Sequence, residues 1–414
     1  MQINTLIIGG GLSGLTAANQ LHKNGMDFLL LEASNRVGGR VKTDIVNGYR
    51  LDYGFQVLLT AYPQAKHWLD YEALQLKSFL PGAQLLYPDG SQGMLGDPLR
   101  NISSLFPTIF NKSGTLKDKV NILKLRNRLS KLSIQSIFEQ EEIPTSAVLR
   151  SVYGFSDQMV QEFFEPFFTG IFLEKELSTS RRMFDFVFKM FSEGNTAIPN
   201  LGMEEIPKQL SNSLPEKSII TKAEVIRIEG QTVFLKDGSS YSAQNIIVAT
   251  EAIGLIKELS NVKKKYQSTT HVHFTSEVAP VAKPIIALNT KRDRLANNIC
   301  TINKIAPGYS ENQDALISLS IVGQHGLSEK ELIQQIRNEM QTWFGNETEK
   351  WEHLHTRTVH YGLPNQQNVT NNISSEKYLI RKGLYVCGDH LLNGSIHAAM
   401  LTGQKVAELI VRNN

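Results

Sequence analysis

The start of the chain runs strand, glycine turn, helix, strand, and this order restricts what it can form. The apolar run TLII is followed by GGGLSG, then by LTAANQLHKNG with apolar residues at helical spacing, and then by FLLL. The turn fits G-x-G-x-x-G: Gly9 permits a tight turn, Gly11 lets a pyrophosphate approach the backbone, and Gly14 lets the helix pack on the strand. Glu32 closes the second strand, where a carboxylate can accept hydrogen bonds from ribose hydroxyls. The unit predicts an α/β domain of the Rossmann type that binds a dinucleotide.

The helix after the glycine turn also favours a phosphate ligand. Its first N–H groups have no partner within the helix, and the positive end of its dipole lies there. The residues expected to contact the dinucleotide in this unit are Gly9, Gly11, Leu12, Ser13, Gly14, Glu32 and Ala33. The motif alone does not distinguish NAD from FAD.

Length, charge and cysteine content set the bounds on the rest of the chain. A chain of 414 residues is too long for one compact core, so two or more domains are expected. A net charge of +3 gives no reason to expect a nucleic-acid partner. Cys300 and Cys387 make no disulfide framework, which favours a reducing compartment. With no apolar run of membrane-spanning length and no basic leader, we expect a cytoplasmic protein, and a peripheral membrane contact stays open.

The stretch EASNRVGGRVKT, directly after the second strand, identifies the cofactor by resemblance. Arg36, Gly38, Gly39, Arg40 and Thr43 resemble the R-x-G-G-R-x-x-[ST] element of the flavin amine oxidase superfamily, which includes monoamine oxidases, protoporphyrinogen oxidases and phytoene-type desaturases. Adjacent glycines let backbone N–H groups approach a diphosphate, and a fixed arginine adds a charged partner. A glycine turn between solvated arginines is the alternative. The resemblance implies FAD, with four of these residues as contacts: Arg36, Gly38, Gly39 and Arg40.

The segment GYRLDYGFQVLLTAYP resembles the next part of the same superfamily pattern. There, an Asp-x-Gly turn carries the chain beneath the flavin ring, and the resemblance places Gly54, Phe55 and Gln56 at this turn. A plain strand and turn is the alternative interpretation of these residues.

The other end of the chain resembles the C-terminal flavin motif of the superfamily. GLYVCGDHLLNGSIHAAMLTGQKVAEL reads as a strand, a Gly388-Asp389 turn and a helix. The resemblance implies that Asp389 contacts the ribitol–phosphate region and that N–H groups at Ser395 and Ile396 face the flavin pyrimidine. A helix N-terminus stabilises negative charge that develops on that edge during reduction.

Alternating strands between residues 219 and 250 complete the cofactor domain. They include a Lys236-Asp237-Gly238 hairpin turn. The resemblance implies a β-meander, with Val225 packing on adenine and Thr250 as a further contact. We therefore expect a discontinuous FAD-binding domain of residues 1–75, 202–262 and 380–414, and an inserted α+β substrate domain of residues 76–201 and 263–379.

The first insertion is expected to be mostly helical. Residues 115–132 form a basic amphipathic pattern, which suits either an anionic membrane surface or, more simply, packing on the protein's own core. The phenylalanine-rich stretch from Phe163 to Phe191 resembles the wall of the substrate tunnel in protoporphyrinogen oxidases and desaturases. Core packing is the alternative for these aromatic residues.

The second insertion contains STTHVHFTSE, whose alternation predicts a strand with His271 and His273 on one face. In amine oxidases the corresponding strand carries a lysine that holds a water near flavin N5, and His271 matches that position. We therefore expect His271 to act at the reactive edge of the flavin; a neutral, hydrogen-bonded histidine in a pocket wall is the alternative. No metal site is expected, because no carboxylate or cysteine lies near the pair in sequence. Residues 360–364 resemble the superfamily segment that approaches the far face of the flavin.

Three functions are compatible with these features. The first is an oxidoreductase with non-covalent FAD that transfers hydride from a C–H bond of a large apolar substrate, such as an isoprenoid, a carotenoid or a porphyrinogen, with oxygen or a quinone-like molecule as the acceptor. The second is an amine oxidase, against which His271 argues. The third is a non-catalytic lipid-binding module of the GDP-dissociation-inhibitor type, against which the intact Arg36–Arg40 element and Gly388-Asp389 argue.

Overall fold

The computed structural model describes residues 3–96, 112–250, 254–256 and 265–413. The expected domain boundary between residues 262 and 263 lies outside these ranges. The strands are β1 (Ile3–Ile8), β2 (Phe28–Leu31), β3 (Thr43–Val46), β4 (Tyr49–Asp52), β5 (Leu58–Leu59), β6 (Lys77–Ser78), β7 (Gly82–Leu86), β8 (Gln92–Gly96), β9 (Thr196–Ile198), β10 (Ile219–Ile220), β11 (Val225–Glu229), β12 (Thr232–Leu235), β13 (Ser240–Val248), β14 (Tyr266–Ser276), β15 (Ala287–Asn289), β16 (Asn298–Thr301), β17 (Ala315–Val322), β18 (Glu352–Pro364), β19 (Leu379–Arg381) and β20 (Leu384–Val386).

The helices lie between and after these strands. They are α1 (Leu12–Lys23), α2 (Pro63–Trp68), α3 (Leu116–Ser130), α4 (Ile134–Phe138), α5 (Thr145–Ser151), α6 (Asp157–Met159), α7 (Glu165–Phe172), α8 (Arg181–Glu193), α9 (Glu205–Asn212), α10 (Ile302–Ile305), α11 (Glu329–Phe344) and α12 (Ile396–Asn413). A π-helical turn, Val160–Phe164, joins α6 to α7, and short 3₁₀ turns occupy Glu216–Ser218, Pro307–Tyr309, Gly345–Lys350, Ser375–Tyr378 and Asp389–Leu391. No helix among the described residues is long and apolar enough to cross a membrane.

The first sheet has a parallel centre in the order β10-β2-β1-β13-β20, as a Rossmann-type unit requires. Its strands read as continuous apolar runs because both faces are covered, and Ile7, Leu30 and Ile247 are fully buried. The first residues of β13 pair antiparallel with β12, which pairs with β11, so the expected meander joins the same sheet. Three distant segments of the chain thus build one sheet.

Helices α1 and α12 pack across this sheet in direct contact. A Cβ added to Gly403 of α12 would lie 2.0 Å from the carbonyl oxygen of Ser13 in α1, so only glycine permits this approach. The Ser13 hydroxyl donates to the Ala399 carbonyl at 2.6 Å. The beginning and the end of the described chain are therefore held together beside the glycine turn.

The second sheet has the order β18-β14-β17-β16-β15-β7-β8 and combines strands from both insertions. Strand β7 pairs in parallel with β15 and antiparallel with β8, while β14 lies between β17 and β18 in antiparallel pairing. Helix α11 belongs to the same core, because Leu332, Ile336 and Met340 on one of its faces are buried in it. This sheet carries His271 and His273.

The helices from α3 to α8 form the rest of the first insertion. Phenylalanines 164, 168, 172, 184 and 186 are buried in the largest core, while Phe163, Phe167, Phe188 and Phe191 are only partly buried. The same aromatic stretch therefore supplies both core residues and a partly open aromatic face. The π-helical turn, Val160–Phe164, overlaps the start of this stretch and inserts one residue into the helical repeat there.

Candidate functional site

The glycine turn between β1 and α1 has the geometry that its spacing predicts. Gly9 has a φ of +105°, and a Cβ on Gly14 would lie 2.0 Å from the Gly9 carbonyl oxygen, so the helix can begin this close to the strand only with glycine there. Of the atoms that the structure describes, a Cβ on Gly11 would meet only the Cα of Gly39 within 4 Å, at 3.9 Å. The R-x-G-G-R element therefore lies directly against the turn, and the Gly38 N–H donates to the Gly10 carbonyl at 2.8 Å.

Glu32 links the end of β2 to this turn. One carboxylate oxygen accepts from the Gly10 N–H at 2.7 Å, and the other accepts from the Ser34 N–H at 2.9 Å and the Ser34 hydroxyl at 2.7 Å. A carboxylate offers about four acceptor positions. The three bonds leave capacity for about one further donor, such as a ribose hydroxyl.

Arg36 is held by carboxylates. Its guanidinium contacts Asp44 at 2.5 Å and Glu204 at 3.0 Å, and Asp44 also accepts from Arg357 at 2.5 Å. Burial raises the pKa of Asp44, but the hydrogen bond from Arg36 and the charge of Arg357 outweigh it and hold that pKa below its usual value. Arg36 thus fixes the loop after β2 against β3, β18 and the turn before α9.

Arg40 joins the two halves of the site. It donates to the carboxylate of Asp389 at 2.5 Å and to the carbonyl of Gly362 at 2.9 Å. Asp389 is 5% exposed and follows Gly388, whose φ of +150° favours glycine. The N-terminal arginine element, the C-terminal Gly-Asp turn and the segment of residues 360–364 therefore meet at one side chain.

Ser395 caps the last helix. Its hydroxyl accepts from the Ala398 N–H at 3.0 Å, which satisfies one donor of the first turn, and Ile396 begins α12. The Gly388 N–H donates to the Thr402 hydroxyl at 3.0 Å, so the Gly-Asp turn is attached to the helix it precedes. The N-terminus of α12 and the Arg40–Asp389 pair are parts of one constellation.

The turn of Gly54, Phe55 and Gln56 lies against His271. The Phe55 N–H donates to His271 Nε2 at 3.3 Å, and a Cβ on Gly54 would be 3.4 Å from the same atom. The Gln56 amide donates to the Arg40 carbonyl at 2.9 Å, which connects this turn to the arginine element. The contact of His271 with this turn is therefore made to the backbone of the turn.

The protonation of His271 follows from its surroundings. Burial lowers the pKa of His271 to about 3, so the ring is neutral at physiological pH. Because Nε2 accepts from Phe55, the proton lies on Nδ1, which is 3.3 Å from the Ser320 hydroxyl. His273, two residues along, is also buried, and burial lowers its pKa to about 3. The described residues contain no group of His, Cys, Asp or Glu side chains that could hold a metal ion.

Asp52 is a member of the site that the sequence did not single out. Its carboxylate accepts from the Thr43 hydroxyl and the Tyr309 hydroxyl, both at 2.5 Å, and from the Met203 N–H at 3.0 Å. Burial raises the pKa of Asp52 to about 6. The only sequence signal was its place in the Asp-x-Gly turn, because its donors come from residues far along the chain.

The other residues expected to contact the cofactor differ in position and in exposure. Leu12 and Ser13 begin α1, and the Ser13 side chain faces α12. Ala33 follows Glu32 in the loop. Val225 is half-buried at the start of β11, and Thr250 is exposed beyond β13, with its Cβ 3.2 Å from the position of a Cβ on Gly9.

The chain is similar in sequence to known flavin-containing proteins. Residues 12–411 match the family of flavin containing amine oxidoreductases. The chain belongs to this family. Protoporphyrinogen oxidase 2 of Arabidopsis thaliana is 35% identical over 78 residues, which are 19% of this chain and 15% of that protein. The 4,4'-diaponeurosporene oxygenase of Staphylococcus haemolyticus is 33% identical over 105 residues, which are 22% of this chain and 21% of that protein.

The similarity to these relatives is local, whereas the similarity of fold extends over the chain. The matched stretches cover far less than two thirds of either relative's length. The solved structure of an oxidoreductase from Methanosarcina mazei has a TM-score of 0.74, covers 98% of this chain and 100% of that chain, and is 18% identical. That likeness shows the shared fold.

Family membership agrees with the chemistry of the site. Opposed glycines at positions 11 and 39 leave no side chain between the turn and the arginine element, Glu32 retains acceptor capacity, and α12 presents its N-terminus. These features fit a flavin cofactor with phosphates. The family to which the chain belongs is one of flavin-containing oxidoreductases.

Proposed function

We propose that the protein binds FAD non-covalently and oxidises a C–H bond of a large apolar substrate. The observation that carries the proposal is the Arg40–Asp389 pair, because it draws the N-terminal and C-terminal flavin elements into one site. When bound, FAD supplies a hydride acceptor. The side chains and backbone groups of the protein bind and orient it, as follows.

Polar groups at the end of β2 can bind the adenosine half of FAD. Glu32 can accept a ribose hydroxyl with its remaining acceptor capacity, and the turn from Gly9 to Gly14 can receive phosphates at the start of α1. Gly38 and Gly39 add backbone close to that turn. This arrangement favours a dinucleotide over a flavin mononucleotide.

The flavin half is proposed to lie between α12 and the Asp-x-Gly turn. The N-terminus of α12 at Ser395 and Ile396 would stabilise negative charge on the pyrimidine edge. On the opposite side, His271 accepts a hydrogen bond from the Phe55 N–H. Because this bond fixes the backbone of the turn, His271 is a positioning residue. A neutral ring at this position adds no positive charge to the site.

Non-covalent attachment is supported by the state of both cysteines. Cys300 and Cys387 are fully buried. Burial raises the pKa of Cys387 to about 12 and that of Cys300 further, so neither offers a reactive thiolate.

A large apolar substrate is supported by the aromatic face of the first insertion. Phe163 stacks on Phe167 with centroids 5.5 Å apart, and Phe167 contacts Phe191 at 5.4 Å, yet all three remain partly exposed. Two relatives are named for protoporphyrinogen and for diaponeurosporene. Oxygen or a quinone-like molecule is the proposed electron acceptor, and the cytoplasm is the proposed location.

Amine oxidation is the second candidate, and the description of the family favours it. The neutral His271, in the position where the resemblance implies a lysine in amine oxidases, argues the other way. The two candidates differ in which compounds reduce the cofactor.

The deciding experiment uses the purified full chain. We expect a yellow protein that binds FAD but not FMN and releases all flavin into the supernatant on acid precipitation. Under anaerobic conditions, apolar polyenes or porphyrinogens should bleach the flavin, and benzylamine or a polyamine should not. A colourless protein that cannot be reconstituted would overturn the proposal; flavin in the pellet would overturn non-covalent attachment; rapid bleaching by amines would establish the second candidate.

A further inference from the structure

Helix α3 is firmly held along its inner face. Leu125 and Leu129 are buried in the main core. At its start, the Thr115 side chain and Asp118 form a reciprocal cap. At its end, Lys189 of α8 donates to the carbonyls of Leu129 and Ser130 at 3.0 and 3.4 Å. The helix therefore presents a fixed outer face.

That outer face is apolar where a solvated helix would be polar. Leu116, Val120 and Leu123 are 69%, 49% and 43% exposed. Their spacing of four and three residues places them in one stripe along the helix. Leu125 and Leu129 form the apolar face that packs in the core, so this stripe is a second apolar surface on the same helix.

Basic residues flank the stripe on both sides. At about 100° per residue, one row of cations lies beside it at Lys117, Lys124 and Lys131, and a second row lies on the other side at Lys119 and Arg126. The single acid of the helix, Asp118, is buried beneath it and accepts from Ser156 at 2.7 Å. Within the described chain, Lys117, Lys124 and Lys131 form no ion pair with a carboxylate.

We propose that this face of α3 docks the protein on a membrane surface rich in anionic phospholipid. An apolar stripe between two cationic rows matches the boundary between acyl chains and acidic headgroups, where a helix lies parallel to the surface. Leu116, Val120 and Leu123 enter the acyl boundary, and the lysines contact the headgroups. The surface acts independently of the flavin site, so its test does not depend on the reaction.

The first test is co-sedimentation of the full flavin-loaded protein with vesicles. We expect binding to phosphatidylcholine vesicles that contain phosphatidylglycerol, and little binding to phosphatidylcholine alone. Each lysine near such a surface is worth about a fivefold change in partitioning. Lys117→Gln, Lys124→Gln and Lys131→Gln together should therefore lower the partition coefficient roughly 100-fold.

The apolar stripe is tested separately from the charge. Leu116→Gln, Val120→Gln and Leu123→Gln together should lower partitioning at least about tenfold with no change in net charge. The matched apolar control is Ile45→Gln with Ile226→Gln, two exposed positions on other elements. The matched charge control removes three lysines elsewhere: Lys217, Lys236 and Lys330. Flavin content and Tm verify that every variant is folded.

A site-specific probe locates the contact. An environment-sensitive fluorophore attached at Val120→Cys should shift to the blue when anionic vesicles are added, and the same fluorophore at Ile226→Cys should not shift. The native cysteines are buried and do not compete for labelling. Four results would overturn the proposal: wild-type protein that stays in the supernatant, equal losses in the matched controls, full binding after removal of the apolar stripe, or no shift at position 120. Capture by an acidic polypeptide without vesicle binding would point to a protein partner instead.

Discussion

The Glu32 carboxylate accepts hydrogen bonds that hold the glycine turn, and the same carboxylate is proposed to contact the ligand. Replacing it with alanine removes the acceptor for Gly10 and for Ser34, and the proposed ribose bond as well. A hydrogen bond to a charged group contributes about 1.5–3 kcal/mol, so the Kd for FAD should rise roughly 10- to 150-fold. Titration of the apoprotein by flavin fluorescence measures this change. Glu224→Ala, an exposed carboxylate in the meander, is the matched control and should leave the Kd unchanged.

His271 gives a prediction about rate and not about occupancy. His271→Ala should slow anaerobic flavin reduction by about tenfold, because loss of the Phe55 contact frees the Gly54–Gln56 turn. FAD should remain bound, because the ring does not contact the glycine turn. His271→Gln places an amide oxygen near the position of Nε2 and should recover most of the rate. Equal rates in the alanine and glutamine variants would contradict the positioning role.

The sequence predicted single residues well where their partners are local. The roles of Gly9 and Gly14 follow from spacing alone, because the atoms they must avoid lie within the same turn. The three donors to Asp52 could not be anticipated, because Tyr309 and Met203 reach it through tertiary contacts. Glu204, one of the two carboxylates that hold Arg36, was missed for the same reason, because it lies far along the chain from the arginine.

At the scale of elements, the packing of α1 on α12 gives a sharp prediction. In Gly403→Ala the new Cβ would lie 2.0 Å from the Ser13 carbonyl oxygen, so the helices must separate. Overpacking of this kind costs about 1–3 kcal/mol. The separation also moves the Gly-Asp turn away from Arg40. We therefore expect a lower Tm together with partial loss of flavin, measured by differential scanning fluorimetry and absorbance.

Gly254→Ala is the control for that experiment. A Cβ at Gly254 would meet none of the described residues within 4 Å, so stability and flavin content should be unchanged. If Gly403→Ala behaves in the same way as Gly254→Ala, the two helices are not in the close contact described above.

Elements with a strong local pattern were predicted, and those defined by pairing were not. The continuous apolar runs of β1 and β2 and the alternation of β14 are visible in the sequence, and the structure has strands there. The parallel pairing of β7 with β15 joins the two insertions in one sheet and leaves no local signal. In α3 the basic amphipathic pattern was recognised, but the exposed apolar stripe was not, because exposure depends on what packs against a helix.

At the scale of the whole molecule, buried histidines set the response to acid. Burial lowers the pKa of His271 and of His273 to about 3, and that of His397 to about 4. Between their unfolded pKa of about 6.5 and these values, only the unfolded chain takes up the protons, so stability falls as the pH falls. Asp52 and Asp185 oppose this effect, because burial raises the pKa of each and the folded state binds their protons first.

The three buried histidines outnumber the two carboxylates. The free energy of unfolding should therefore fall as the pH falls from about 6.5 towards 4.5. Urea unfolding at several pH values measures the slope. His397→Phe keeps the stacking on Tyr62 and Phe186 and should flatten the slope by about 1.4 kcal/mol per pH unit. A slope that is unchanged in this variant would remove His397 from the account.

The Arg40–Asp389 pair has a consequence for the order of events during synthesis. Asp389 is added to the growing chain 349 residues after Arg40. At about 5–20 residues per second, this interval lasts roughly 20–70 s. For much of this interval β1 lacks its neighbour β13. The proposed cofactor site cannot form until the interval ends. Under the proposed function, capture of the flavin is therefore expected to follow the synthesis of Asp389.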